Sequence, residues 1–233
     1  MEKWISFGEL LCADSTREKE FNDFYDNVHI PNVLKAPGFV AATRYIIKER
    51  MNGRGKYLTI WEIETDDIDK TMATRREMRK KEAEQGQYTI PLMIAIWHDV
   101  LFKQIGERIC SKKRATKMTK WIRLGEFKCA DPTREKELND FEDNVHTPLV
   151  LKSPGYAAVT RYVIKEPMYG RGQYLSLWEI ESDDIDKTLA IRREMRKKEA
   201  ERGQYIIPGL LVPIWGDVLF RQMGERICSK QQV

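Results

Sequence analysis

Histidine is rare in this chain, and two of its 3 histidines stand in the same context. His29 lies in Phe24-Tyr25-Asp26-Asn27-Val28-His29-Ile30-Pro31, and His146 in Phe141-Glu142-Asp143-Asn144-Val145-His146-Thr147-Pro148. Imidazole is the side chain whose ordinary pKa lets it take or give a proton near neutral pH, so both are candidate general acid–base groups. Tyr25 is four residues before His29 and shares its helix face, which adds a hydroxyl to the candidate catalytic set. Asp26 and Asp143 stand three residues before each histidine, where a carboxylate either orients the ring or faces solvent. The alternative for both histidines is structural: a ring bonded to a backbone carbonyl where Pro31 interrupts the helix.

Arginine on an apolar helix face is the second signal. Ile68, Met72 and Arg75 fall at i, i+4 and i+7, as do Ile185, Leu189 and Arg192. A guanidinium there needs a carboxylate partner or a ligand anion. Glu9 and Glu126, midway along the first strand of each half, are the partners the sequence suggests. Strand aromatics form the third set: Tyr45, Tyr57, Trp61 and Trp97, matched by Tyr162, Tyr174, Trp178 and Trp215. They either pack the core or wall a flat pocket; Tyr45, Tyr162, Trp61 and Trp178 are the candidate substrate-binding members. His98, matched by Gly216, is a candidate axial ligand in a haem-binding alternative. No cofactor is otherwise expected.

These residues must be positioned by regular elements. Residues 4–13 fit a strand. Asp14-Ser15-Thr16 supplies N-cap chemistry for a helix whose Phe21, Phe24, Tyr25 and Val28 share a face, ended by Pro31 and Pro37-Gly38. Residues 39–48 and 56–64 form a hairpin about the turn Asn52-Gly53-Arg54-Gly55. Asp66-Asp67 caps a second helix closed by Gly86. Residues 89–102 read as a buried last strand. The order is β-α-β-β-α-β.

That pattern occurs twice. Shifted by about 117 residues, about 64 of the 88 positions from Trp4 to Pro91 are identical, so the chain reads as a tandem duplication. One extra residue in the second copy falls near Pro213. The copies are residues 1–110 and 120–233, with 111–119 a basic linker. The differences cluster near the histidines: Tyr25 against Glu142, Ile30 against Thr147, Asn32 against Leu149.

The aromatic residue, the His-x-Pro and the following Pro37-Gly38-Phe39 (Pro154-Gly155-Tyr156 in the second copy) resemble the dimeric α/β-barrel superfamily, most closely its EthD-like members. The resemblance implies an α+β fold: two ferredoxin-like βαββαβ domains stacked sheet to sheet as an intramolecular pseudo-dimeric α+β barrel. It also implies a small, often aromatic, ligand between sheet and helices. The reaction is left open among cyclase, isomerase and decarboxylase types, haem- or oxygen-using chemistry, and a non-catalytic binding or assembly module.

Composition sets bounds. Hydrophobic residues make up 42% and charged residues 33% of 233 residues, with net charge +4. The mixed charge gives no basic groove for nucleic acid, and no apolar run suits a membrane span. Cys12, Cys110, Cys129 and Cys228 lack metal-site spacing and read as reduced thiols. A cytoplasmic protein with a small-molecule substrate is expected, as an internal pseudo-dimer open to further homodimerisation.

Overall fold

The computed structural model describes residues 1–111, 118–205, 207 and 209–229, the side chain of Asp217 excepted. Most of the expected linker, residues 112–117, lies outside them. The chain forms two compact units, one of residues 1–103 with 222–233 and the other of residues 104–221. Among the described residues no helix is long and apolar enough to cross a membrane.

In the first unit the elements are β1 (Glu2–Cys12), α1 (Glu18–Phe24), a π-turn (Tyr25–His29), α2 (Ile30–Val33), β2 (Phe39–Ile47), β3 (Tyr57–Thr65), α3 (Ile68–Glu84) and the first part of β4 (Met93–Cys110). All pairings are antiparallel, and the order is β4-β1-β3-β2. The two-residue strand β9 (Ile227–Cys228) adds to the free side of β2. Local chemistry explains the helix starts. The carboxylate of Asp14 accepts from the Thr16 amide at 2.9 Å and caps the 3-10 turn Ser15–Arg17 that leads into α1. Asp67 caps α3 by accepting from the Lys70 amide at 2.9 Å, and each satisfies an orphan donor.

Helix one departs from the sequence expectation. It does not end at Pro31. The chain inserts an i→i+5 turn, with the Ile30 amide donating to the Tyr25 carbonyl, and Pro31 then occupies the first turn of α2. Proline is tolerated there because its missing N–H has no helical partner to lose. The last strand also differs. It begins at Met93, runs to Cys110, and exposes His98 and Asp99.

Strand alternation divides the sheet. Trp4, Leu10, Phe39, Ala42, Tyr57 and Trp61 pack with Phe21, Tyr25, Ile30 and Val33 of the first helical segment and Ile68 and Met72 of α3. Ile5, Phe7 and Glu9 alternate with them on the opposite face and are also buried. Glu9 settles a partner question there. It accepts from Arg54 Nε at 2.9 Å and from the Gly55 amide at 3.0 Å, so it belongs to the hairpin turn and not to Arg75. Gly55 is required by this closure: a Cβ would lie 2.6 Å from the Leu10 amide nitrogen.

The second unit repeats the order with β5 (Lys120–Cys129), α4 (Glu135–Phe141), a π-turn (Glu142–His146), α5 (Thr147–Val150), β6 (Tyr156–Ile164), β7 (Tyr174–Glu181), α6 (Ile185–Glu201) and β8 (Leu211–Gln222). Its sheet runs β8-β5-β7-β6. Glu126 likewise accepts from Arg171 Nε at 2.8 Å. The extra residue sits earlier than Pro213. Ala13 donates to the Leu92 carbonyl and Ala130 to that of Leu210, so the offset has already changed by Leu210.

Candidate active site

The first unit holds a cavity of about 240 Å³ between the helices and the sheet. Its floor is Ser6, Gly8 and Leu10 of β1 with Trp61 of β3; its wall is Tyr25, His29 and Val33; its far side is Met72, Arg75, Arg76 and Arg79 of α3 with Tyr88. Glycine matters at position 8. A Cβ there would stand 3.5 Å from Trp61 Nε1 and 3.7 Å from the Tyr25 hydroxyl, inside the space that a ligand would use.

The π-turn brings Tyr25 and His29 together, with ring centroids 4.6 Å apart. Such turns recur at functional sites because the added residue re-aims side chains. His29 is 7% exposed, and Trp61 meets it edge-on at 5.9 Å. Its Nδ1 lies 2.9 Å from the Tyr88 carbonyl oxygen. A carbonyl only accepts, so Nδ1 carries the proton and donates it, leaving Nε2 with its lone pair. Nε2 has no hydrogen-bond partner among the described residues. Burial pushes the pKa of His29 down to about 4; the Tyr88 carbonyl opposes this, and the charges of Arg75 and Arg44 add to it. The ring is therefore neutral at pH 7, a hydrogen-bond acceptor and base. Burial likewise pushes the Tyr25 hydroxyl up to about 12, against a hydrogen bond with Thr59 and the charge of Arg44.

Several sequence-predicted residues take other places. Asp26 does not orient the imidazole. It accepts from Arg44 at 2.8 Å, and the Arg44 guanidinium lies 4.6 Å from the centre of the Tyr25 ring. Asp143 does the same for Arg161 at 2.5 Å. Arg75 makes two bonds to Glu82, at 2.7 and 2.8 Å, and Arg192 two to Glu199, at 2.6 and 2.7 Å. The partner is two turns along the same helix. Tyr45 alternates with Arg44 on β2 and faces away from the cavity; Tyr162 alternates with Arg161 on β6 in the same way. Trp97 donates to the Gly53 carbonyl at 3.0 Å and closes the hairpin turn.

Sequence reasoning missed Tyr88, Gly8, Arg76, Arg79 and Asp99. Tyr88 was visible as one of the tyrosines that both copies keep. Asp99 and His98 reach the rim through a β-bulge: Phe7 pairs with Val100 and Glu9 with Trp97, so two residues of β4 oppose Gly8 alone. Asp99 is the described non-glycine residue with positive φ, at 56°. It accepts from Arg79 at 3.0 Å.

His98 does not fit a haem. Its side chain is 66% exposed, with Nδ1 3.7 Å from Asp99. The cavity is also below the ~300–1,000 Å³ of sites that hold drug-sized ligands. No group of three His, Cys, Asp or Glu side chains converges among the described residues.

The second unit keeps the aromatic surround. Trp178 lies 6.0 Å from the His146 ring and Tyr205 5.8 Å. Burial pushes His146 down to about 4, with Arg192 and Arg123 adding to it. The Tyr205 carbonyl acts on it as Tyr88 does on His29, but the approach falls short of a regular hydrogen bond, and Nδ1 is buried without one. Two substitutions change the space. Arg123 stands where the first unit has Ser6 and donates to the Tyr156 hydroxyl at 3.0 Å. Glu142 replaces Tyr25, 3% exposed, and burial pushes its carboxyl up to about 7, Arg161 opposing and Asp143 adding.

No family model matches the sequence, and no curated protein matches it. Solved structures match its fold along nearly the whole chain. An anthrone oxidase-like protein superposes with a TM-score of 0.56 at 12% identity, covering 100% of this chain and 96% of its own. A putative chlorite dismutase gives 0.54 at 12% identity, with 96% of each chain covered. A putative monooxygenase from Fusobacterium nucleatum gives 0.53 at 9% identity, covering 98% of this chain and 93% of its own. At such identities what this chain shares with these neighbours is the fold.

Proposed function

We propose that the protein is a cofactor-independent enzyme acting on a small cyclic or aromatic carbonyl compound, with His29 as the acid–base group. The observation that carries this is the free Nε2 of a neutral imidazole in an aromatic-lined cavity, its tautomer fixed by Tyr88. Nε2 accepts a proton from an acidic C–H or O–H of the substrate, and the electron pair moves onto the carbonyl oxygen. The imidazolium so formed stands near Arg75 and Arg44. It is tolerable only while the substrate holds the matching negative charge, which ties proton transfer to substrates that form an enolate or phenolate. Returning the proton to another carbon completes an isomerisation, and attack of the enolate carbon on a second carbonyl, whose oxygen then takes the proton, completes a cyclisation. In a decarboxylation the bond to the carboxylate breaks, its electron pair moves onto the carbonyl oxygen as carbon dioxide leaves, and the imidazolium returns the proton to that carbon.

The reading takes the chain as a tandem duplication of an EthD-like domain, residues 1–110 and 120–233. The repeated His-x-Pro and Pro-Gly motifs support this, as do about 64 identities in 88 positions. The first pocket is the working one, since it keeps Tyr25, a glycine-floored cavity and the Tyr88 bond. A second reading draws on the fold neighbours described as a putative monooxygenase and an anthrone oxidase-like protein. The same carbanion, formed by the same base, would then react with oxygen.

The test is turnover of a panel of phenols, lactones and aromatic ketones by the wild type, His29→Ala and His146→Ala, with dissolved oxygen followed. Loss of turnover in His29→Ala alone is expected. Full turnover in His29→Ala defeats the assignment, and stoichiometric oxygen uptake selects the second reading.

A further inference from the structure

The cavity of the first unit is electrically lopsided. One face of α3 presents Met72, Arg75, Arg76 and Arg79 to it at i, i+3, i+4 and i+7. Arg75 is matched by the two bonds of Glu82. Arg79 is shared between Asp99, at 3.0 Å, and the ring of Tyr88, at 5.5 Å. Arg76 is exposed at the rim and has no acidic partner among the described residues. Asp99 is the only carboxylate in the described lining, against three guanidinium groups. The other end is uncharged and aromatic. Low-dielectric walls concentrate such a field, so the mouth attracts anions while the interior favours a flat apolar body.

We propose that this cavity takes a small aromatic carboxylate, its carboxylate held at the mouth by Arg76 with Arg79, and its ring directed inward to His29. The inference rests on the first unit's cavity being the working site, and it names the substrate class. Arg76 is a specificity residue. Guanidinium and carboxylate match as planar, two-point partners. The volume of about 240 Å³ suits a single-ring acid. An anion at the mouth also offsets the Arg75 and Arg44 charges that oppose protonation of His29, so binding prepares the base. The second unit repeats the arginines as Arg193 and Arg196, but Arg123 enters where Ser6 leaves room, so Arg193 serves as the internal control.

The experiment is calorimetric titration of the full chain with 4-hydroxybenzoate, its neutral amide and 4-hydroxybenzenesulfonate, at low and high salt. The variants are Arg76→Ala, Arg76→Lys, Arg193→Ala and His29→Ala. Expected are acid binding that weakens with salt, an about tenfold loss in Arg76→Ala, partial rescue by Arg76→Lys, and no change in Arg193→Ala. The amide should bind wild type and Arg76→Ala equally. Amide binding as tight as the acid, an undiminished Arg76→Ala, tighter sulfonate binding, or no binding by any of the three overturns the proposal. Failure of the catalytic reading shows differently: His29→Ala would keep full turnover while the Arg76 effect on acid binding persists.

Discussion

His29 Nδ1 donates to the carbonyl oxygen of Tyr88 across 2.9 Å, a contact spanning 59 residues of sequence. That bond settles the tautomer, aims Nε2, and joins the first helical segment to the turn after α3. The residue that orients the ring is thus a backbone group, and the acidic neighbour Asp26 serves Arg44 instead.

Acid should destabilise the protein through this ring. His29 has a folded pKa of about 4 against an ordinary 6.5. Between those values the unfolded chain binds more protons, so stability is fully present above pH 6.5 and is lost as pH falls through 4. The loss attributable to His29 is roughly 3 kcal/mol. His29→Gln, which keeps a donor for the Tyr88 carbonyl, should flatten the fall in melting temperature between pH 6.5 and 4. An unchanged acid profile in His29→Gln contradicts the burial argument.

Glu142 should act with the opposite sign. Its folded pKa of about 7 lies above the ordinary 4.5. The folded state then holds the extra proton, so stability falls as pH rises from 4.5 and the cost levels off above about 7. Glu142→Gln should raise stability at pH 8 by up to roughly 3 kcal/mol and change little at pH 4. Denaturant midpoints at the two pH values decide it; equal shifts at both would assign the effect to packing.

The pair Arg75 and Glu82 should be worth more intact than halved. Both side chains are nearly buried, at 8% and 10% exposure. Removing one partner strands the other charge, so Arg75→Ala and Glu82→Ala should each cost about 3–5 kcal/mol. The double variant Arg75→Met/Glu82→Leu should cost much less than the sum. A double-mutant cycle by urea denaturation with additive losses would show the pair to be solvated.

The glycines should separate by neighbourhood. Gly55→Ala forces a Cβ to 2.6 Å from backbone nitrogen and should destabilise by several kcal/mol, on the order of 3. Gly8→Ala meets only ordinary contacts at 3.5 and 3.7 Å. It should fold nearly as well yet lose ligand affinity by occupying the cavity. Gly125→Ala, with nothing within 4 Å, should be neutral in both respects. Ligand titration beside thermal melts checks all three, and unaltered binding by Gly8→Ala would place the ligand elsewhere.

What the sequence alone determined is what short range controls. Capping by Asp14 and Asp67, the hairpin turn at Gly53-Arg54-Gly55, strand alternation and helix faces all depend on neighbours within a turn or a pleat. They were readable, as was the doubled His-x-Pro. Only the tertiary structure decided the rest. The i→i+5 turn at Tyr25 carries the helical path past Pro31 and sets Tyr25 and His29 on one wall of the cavity. The bulge opposite Gly8 depends on how β4 registers with β1. The partners of His29, Arg75 and Glu9 were chosen among several chemically suitable groups by which ones the folded sheet and helices bring within 3 Å. A buried charge or ring must be satisfied by something, and sequence reveals that need; the group that meets it is fixed by packing over tens of residues.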